Sequence, residues 1–133
     1  MIYIAGPLTN ADPTIQAANI DRAQRAYYAL LKVGLTGICP HLSGTDPRAF
    51  ELPYDLWIKN GLRQLDVCEA IWLLPGWHQS NGALLELAQV RRLRQVKRQE
   101  VFYSLRRLCL FYGRTYSEGG WNDAHEYTLS LSA

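Results

Sequence analysis

Leu73-Leu74-Pro75-Gly76-Trp77-His78-Gln79-Ser80-Asn81-Gly82-Ala83-Leu84-Leu85-Glu86 runs from a strand signal through a turn into a helix that carries an acid. The apolar run Ala70-Ile71-Trp72-Leu73-Leu74, stopped by Pro75-Gly76, fits a parallel strand covered on both faces better than one that faces solvent. Ser80 is a good helix N-cap and Gly82 leaves backbone open in the first turn. Glu86 follows the cap by six residues, roughly 9 Å along the axis at about 1.5 Å per residue. Long helical side chains lean toward the N-terminus, so this carboxylate points back at unpaired amides. Amides of that kind hold anions. A Ser cap, a first-turn Gly and a strand entering from behind together describe a phosphate or carboxylate pocket at a strand's C-terminal end.

The rest of the chain falls around this segment as alternating strands and helices. Ile2-Tyr3-Ile4-Ala5 reads as the first strand, and Gly6-Pro7 stops it at the edge where α/β proteins place ligand contacts. From about Pro13 to Val33, Ile15, Ala18, Ile20, Ala23, Tyr27, Leu30 and Leu31 recur near helical spacing, with Asp12 as cap and Gly34 just past the end. Leu35 to Cys39 is a short second strand closed by Pro40, and His41 to Pro53 reads as a loop. Pro53 suits the first turn of a helix to about Asp66 whose inner face holds Tyr54, Trp57, Gly61 and Leu65. Gly61 costs that helix about 1 kcal/mol against Ala, which implies that something approaches it closely. The helix from Asn81 is expected to reach about Lys97, Val101-Phe102-Tyr103 to form a further strand, and Ser104 to cap a short helix to Tyr112. This alternation predicts a Rossmann-like (flavodoxin-like) three-layer α/β sandwich with a mostly parallel sheet over residues 1–112. Residues 113–133 show no period of either kind and read as an irregular tail, with Tyr116, Trp121 and Tyr127 as candidate contacts to a neighbouring subunit.

The composition narrows the function classes. A chain of 133 residues with 48% hydrophobic and 20% charged residues is an ordinary globular domain, and a net charge of +2 does not point to nucleic acid or an anionic membrane. Arg91, Arg92, Arg94, Lys97 and Arg98, with Arg106 and Arg107 beyond, read as a solvated helix end, so nucleic acid is not the expected partner. Cys39, Cys68 and Cys109 have no C-x-x-C spacing and read as reduced, buried thiols. No basic leader precedes Ile2 and no apolar run reaches spanning length, so a cytoplasmic protein with no membrane association is expected. His78 reads as exposed and has no second His at ligand spacing, so no metal site is expected. Trp57 and Trp77 read as packing groups rather than platforms for a base.

Several motifs, in order, carry a more specific signal: Tyr3-Ile4-Ala5-Gly6-Pro7, Asn19 and Ala23, Cys68 to Trp77, Ser80-Asn81-Gly82-Ala83 with Glu86, and Val101 to Leu105. Over roughly residues 1–110 the chain resembles the nucleoside 2-deoxyribosyltransferase superfamily, above all its small phage and bacterial branch. The resemblance implies that Glu86 is a carboxylate nucleophile attacking the anomeric carbon of a nucleoside or nucleotide. It implies that Tyr3 holds that carboxylate or the sugar, that Ser80, Asn81 and Gly82 receive the substrate's 5′ end, and that Gly6 and Pro7 form the turn beside the phosphate. Ser rather than Asp at the cap resembles the nucleoside 5′-monophosphate N-glycosidases, since Asp would repel a phosphate. It further implies a homo-oligomer of two or more chains, a small-molecule partner, and chemistry that needs no redox cofactor or metal. One departure from the family matters, the other, Glu69 for the usual Asp, being milder. Eight residues before Glu69 the family usually carries an Asp near the departing base, and here that position is Gly61. Asn60, Asp46, Asp55, His41 or a partner's residue are the candidates to replace it; the alternative is a catalytically weakened nucleotide-binding module of the same fold.

Overall fold

The structure, a computed structural model, describes residues 1–40, 47–116 and 120–131. Four strands, β1 (Ile2–Ala5), β2 (Gly37–Ile38), β3 (Ala70–Leu73) and β4 (Glu100–Phe102), form one sheet in the order β2-β1-β3-β4. Every pairing is parallel, with Tyr3 opposite Ile38 on one side and Ile71 on the other, and Trp72 opposite Phe102. The described helices are α1 (Pro13–Lys32), α2 (Pro47–Phe50), α3 (Tyr54–Asp66), α4 (Asn81–Arg92), α5 (Leu105–Tyr112) and α6 (Asp123–Leu131). This is the expected three-layer α/β arrangement. Among the described residues no helix is long and apolar enough to cross a membrane.

The continuous apolar strands are explained by helices on both faces. Successive strand residues point to opposite sides. Ile2, Ile4, Ala70, Trp72 and Leu74 pack with Ala23, Ala26 and Leu30 of α1 and Leu105 and Leu108 of α5. Tyr3, Ala5, Ile71 and Leu73 pack with Leu65 of α3 and Ala83, Leu87 and Val90 of α4. No position of β1 or β3 is left for solvent, so both strands are buried and apolar along their whole length.

Four expectations are corrected. The buried face of α1 is Asn19, Arg22, Ala23, Ala26, Ala29 and Leu30, whereas Ala18 is exposed and Leu31 is 44% exposed. A stripe drawn through apolar residues alone skips the two polar positions and so drifts off the true face. In α3, Tyr54 lies outside the inner face at 59% exposure, as the first residue of the helix. Pro53 precedes that helix as its N-cap rather than sitting in its first turn. The helix after Ser80 stops at Arg92 rather than Lys97; Leu93 caps it, and Val96 beyond is 88% exposed with nothing to pack against. The basic run therefore lies on the turn that leads to β4 as much as on the helix.

The segment 113–133, expected to be irregular, contains the nine-residue helix α6, and the residues before it enter the core. Trp121 is 2% exposed and its ring meets Trp72 edge-on at 5.1 Å. Asp123 accepts from the amides of Leu105 and Arg106 at 2.8 and 3.0 Å and from Trp121 Nε1 at 3.0 Å. Ser104 Oγ takes the next amide, Arg107, at 3.1 Å, so the start of α5 is capped jointly by its own Ser and by a distant Asp. Glu126, 1% exposed, receives both Nη atoms of Arg25 and lies 3.5 Å from Arg22 Nε, which ties α6 to α1. Tyr116 packs against the core of the same chain, while Tyr127 is 57% exposed.

Candidate active site

In the order β2-β1-β3-β4 the chain leaves β1 toward one edge through α1 and returns on the other side through β3. The loops after β1 and β3 therefore part, and a crevice opens at the C-terminal ends of these two strands. A cleft of about 440 Å³ lies there. It is lined by Gly6, Pro7 and the residues to Asn10 after β1, by Gly76 and Gln79 to Gly82 after β3, and by side chains from α1, α3 and α4. Tyr3, Gly6, Pro7, Ser80, Asn81, Gly82 and Glu86, the residues singled out from sequence, all line this one cleft.

Local chemistry fixes each part. Gly76 turns the chain at φ 88, a left-handed conformation natural to glycine, and a single 3₁₀ turn over Trp77–Gln79 delivers Ser80 to the start of α4. Ser80 Oγ accepts from the amide of Ala83 at 3.2 Å. No described group pairs with the amides of Asn81 and Gly82, so the helix's positive end faces the cleft with two donors unused. A Cβ on Gly82 would meet Ile58, Glu86 Oε1 and Ser80 Oγ at 3.7 to 3.9 Å, ordinary contacts, so packing does not demand a glycine there. Asn19 Nδ2 donates to the carbonyl of Leu8 at 3.3 Å and thereby anchors the turn after β1 to α1.

Glu86 is the buried acid of the cleft. Burial pushes its carboxyl up to about 7, against the opposing pull of a hydrogen bond from the Tyr3 hydroxyl. Its Oε2 is shut off from solvent and has no hydrogen-bond partner among the described residues. The same burial, with Glu86 alongside, drives Tyr3 far above the usual phenol range, so Tyr3 stays protonated and donates. A carboxylate placed this way is basic, poorly solvated and held from one side only, which is what a nucleophile needs.

Gly61 is explained by the same pair. A Cβ built on it would stand 2.9 Å from Tyr3 Oη. Tyr3 is 2% exposed and its rigid ring lies in the core, so the phenol has little room to yield. The close approach expected at Gly61 is thus the Tyr3 hydroxyl on its way to Glu86. Asn60 and Gly61 both line the cleft. Asp55 is not among its walls, Asp66 accepts from Gln89 Nε2 at 2.8 Å, and His41 and Asp46 lie outside the described residues. Trp57 lines the cleft, whereas Trp77 packs toward Tyr103 with ring centroids 5.7 Å apart. Among the described residues no group of three or more His, Cys, Asp or Glu side chains is placed to hold a metal ion.

Residues that sequence reading did not assign to the site include Arg22, Ile15, Tyr54 and Ser130, the last from α6. Arg22 left a signal: with Asn19 it is a polar residue three positions away on the stripe that continues through Ala23, Ala26 and Leu30.

Against known families, residues 1–97 match the model of DUF4406, described as a domain of unknown function. The chain belongs to this family. The matched span runs from β1 through α4, so the DUF4406 region holds every site residue expected from sequence, while β4, α5 and α6 follow it. No curated protein matches the chain.

Proposed function

We propose that this protein cleaves or transfers the N-glycosidic bond of a (deoxy)nucleoside 5′-monophosphate, with Glu86 as the nucleophile. The observation that carries this reading is the buried Glu86 carboxyl, raised to about 7 and unpartnered at Oε2, facing a cleft that also receives the open amides of Asn81 and Gly82. A cleft of about 440 Å³ is of the size that holds small ligands. The resemblance to the nucleoside 2-deoxyribosyltransferase superfamily supports the same chemistry. A Glu86 oxygen bonds to the anomeric carbon while the carbon–nitrogen bond breaks, and its electron pair leaves with the base, which takes up a proton. Water or a second base then displaces the glutamate from the glycosyl ester, restoring the carboxylate. Tyr3 aims the attacking carboxylate by donating to it. Ser80, Asn81 and Gly82, with the Gly6-Pro7 turn, hold the 5′-phosphate.

The test is to incubate the protein and E86Q with a panel of deoxynucleosides and their 5′-monophosphates and measure free base by chromatography. Base released by the wild type and lost in E86Q is the expected result; equal release by both sinks the assignment. One observation favours a second reading, a nucleotide-binding module with weakened turnover: Gly61 stands where the resemblance places a supporting Asp, and the Tyr3 hydroxyl occupies the space. Thermal stabilisation by a monophosphate without base release over a long incubation would decide for it. Assembly of two or more chains belongs to the same proposal, and sedimentation velocity measures it directly.

A further inference from the structure

The cleft is walled from both helical layers of the fold. Glu86 enters from α4 on one face of the sheet and Arg22 from α1 on the other, and among the described lining residues these are the only two with ordinarily charged side chains. Arg22 is 6% exposed, and Arg is rarely buried without a partner that meets its fork of donors. Among the described residues its Nε makes no hydrogen bond, and its one ion pair is the 3.5 Å approach to Glu126 Oε2. Glu126 is already taken in two-pronged fashion by Arg25, whose own Nε is spent on Asp21 at 2.9 Å. The carboxylate that could satisfy Arg22 is therefore engaged by its neighbour. Burial, and then the Arg25 charge, press the Arg22 pKa below its usual value, an electrostatic cost that an anion beside it would offset. Docking α6 does not explain the arrangement, because Arg25 performs that task from outside the cleft.

We propose that Arg22 is the cation of this cleft and takes the anionic group of the ligand, a phosphomonoester dianion, across the turn after β1 from the open amides of α4. The proposal rests on the glycosidase reading for the identity of the ligand and deepens it. Helix amides supply about half a charge and Ser80 none, so a full charge from Arg22 is what separates a nucleotide from a nucleoside in this site. Asn19, one helical turn before it, is a positioning residue that holds the Leu8 carbonyl and with it the turn between the two.

The experiment measures binding of inorganic phosphate, a panel of deoxynucleoside 5′-monophosphates and the matching deoxynucleosides to the full chain by calorimetry, in wild type, R22Q, R22K and R25Q. Expected are a loss of about 10- to 100-fold in phosphate and monophosphate affinity for R22Q, unchanged nucleoside affinity, and substantial recovery in R22K. R25Q is expected to lower stability and, by freeing Glu126 to pair with Arg22, to weaken phosphate binding by less than R22Q does. Should R22Q fail to fold, R22M/E126Q removes the buried pair together and is read in the same way. Phosphate bound equally well by R22Q or the double variant, or R25Q losing as much affinity as R22Q, overturns the proposal. Base release is scored separately: phosphate binding that depends on Arg22 without base release leaves the anion seat standing and removes the glycosidase, and the reverse outcome removes only the seat.

Discussion

Glu86 and Tyr3 set the behaviour of the site at the scale of single residues. A carboxyl whose value rises from 4.5 to about 7 on folding contributes stability that is full below the unfolded value and is lost as pH rises through about 7. The span corresponds to about 3 kcal/mol. E86Q, which cannot ionise, should therefore be more stable than wild type in urea at pH 8 and gain nothing at pH 4; a pH-independent difference would contradict the burial argument. The sign is opposite for the proposed turnover: if base is released as proposed, only the carboxylate form of Glu86 attacks, so the single-turnover rate should rise with pH and level off above about 7. At Gly61 the contact with Tyr3 Oη sets the outcome of substitution. G61A should destabilise by about 1–3 kcal/mol through overpacking, despite Ala being the better helix former, and the same change in a Y3F background should cost much less, measured as a double-mutant cycle. Glu86, Ser80 and Gly82 were legible in the sequence because a cap and the residues in the first and second turns after it obey fixed spacing. The meaning of Gly61 was only half legible: a glycine inside a helix announces a close neighbour, but nothing local says that the neighbour is a phenol from the first strand.

Elements are held by contacts that their own sequences do not advertise. The helix α6 carries a start signal in Asn122, whose Oδ1 accepts from the amide of His125 at 2.9 Å, but its apolar period is weak, and its place is set by Glu126 against Arg25 and Arg22 and by Trp121 against Trp72. E126A should cost about 3–5 kcal/mol in chemical denaturation, since it leaves buried arginine charge uncompensated. Within α4, S80A removes the acceptor for the Ala83 amide and should cost about 1 kcal/mol, with the fold otherwise retained. Strand and helix types were readable for β1, β3, α1 and α5 because their periods and caps are strong. Ends and faces were less so, since α1 buries Asn19 and Arg22 in a stripe that an apolar pattern does not contain, and α4 stops where packing stops rather than where helix formers run out.

At the scale of the whole molecule, the chain after Gly113 completes the domain described here. Trp121 covers Trp72, and Asp123 satisfies the first amides of α5. Deleting residues 114–133 should remove cooperative unfolding and near-ultraviolet dichroism, because loss of a buried Trp alone costs about 3–5 kcal/mol out of a typical 5–15. A truncated chain that melts as sharply as the full one would show the tail to be dispensable. What the sequence by itself determined is the alternation of strand and helix, hence the parallel sheet with both faces covered, and the strand-turn-helix that brings Ser80, Gly82 and Glu86 together; these follow from local period, cap and turn chemistry. The tertiary structure alone decided that Tyr3 reaches Glu86 past Gly61, that Arg22 enters the same cleft from the opposite layer, and that the last helix closes the core. Those contacts join residues distant along the chain, and their geometry arises only when the strand order brings β1 between β2 and β3.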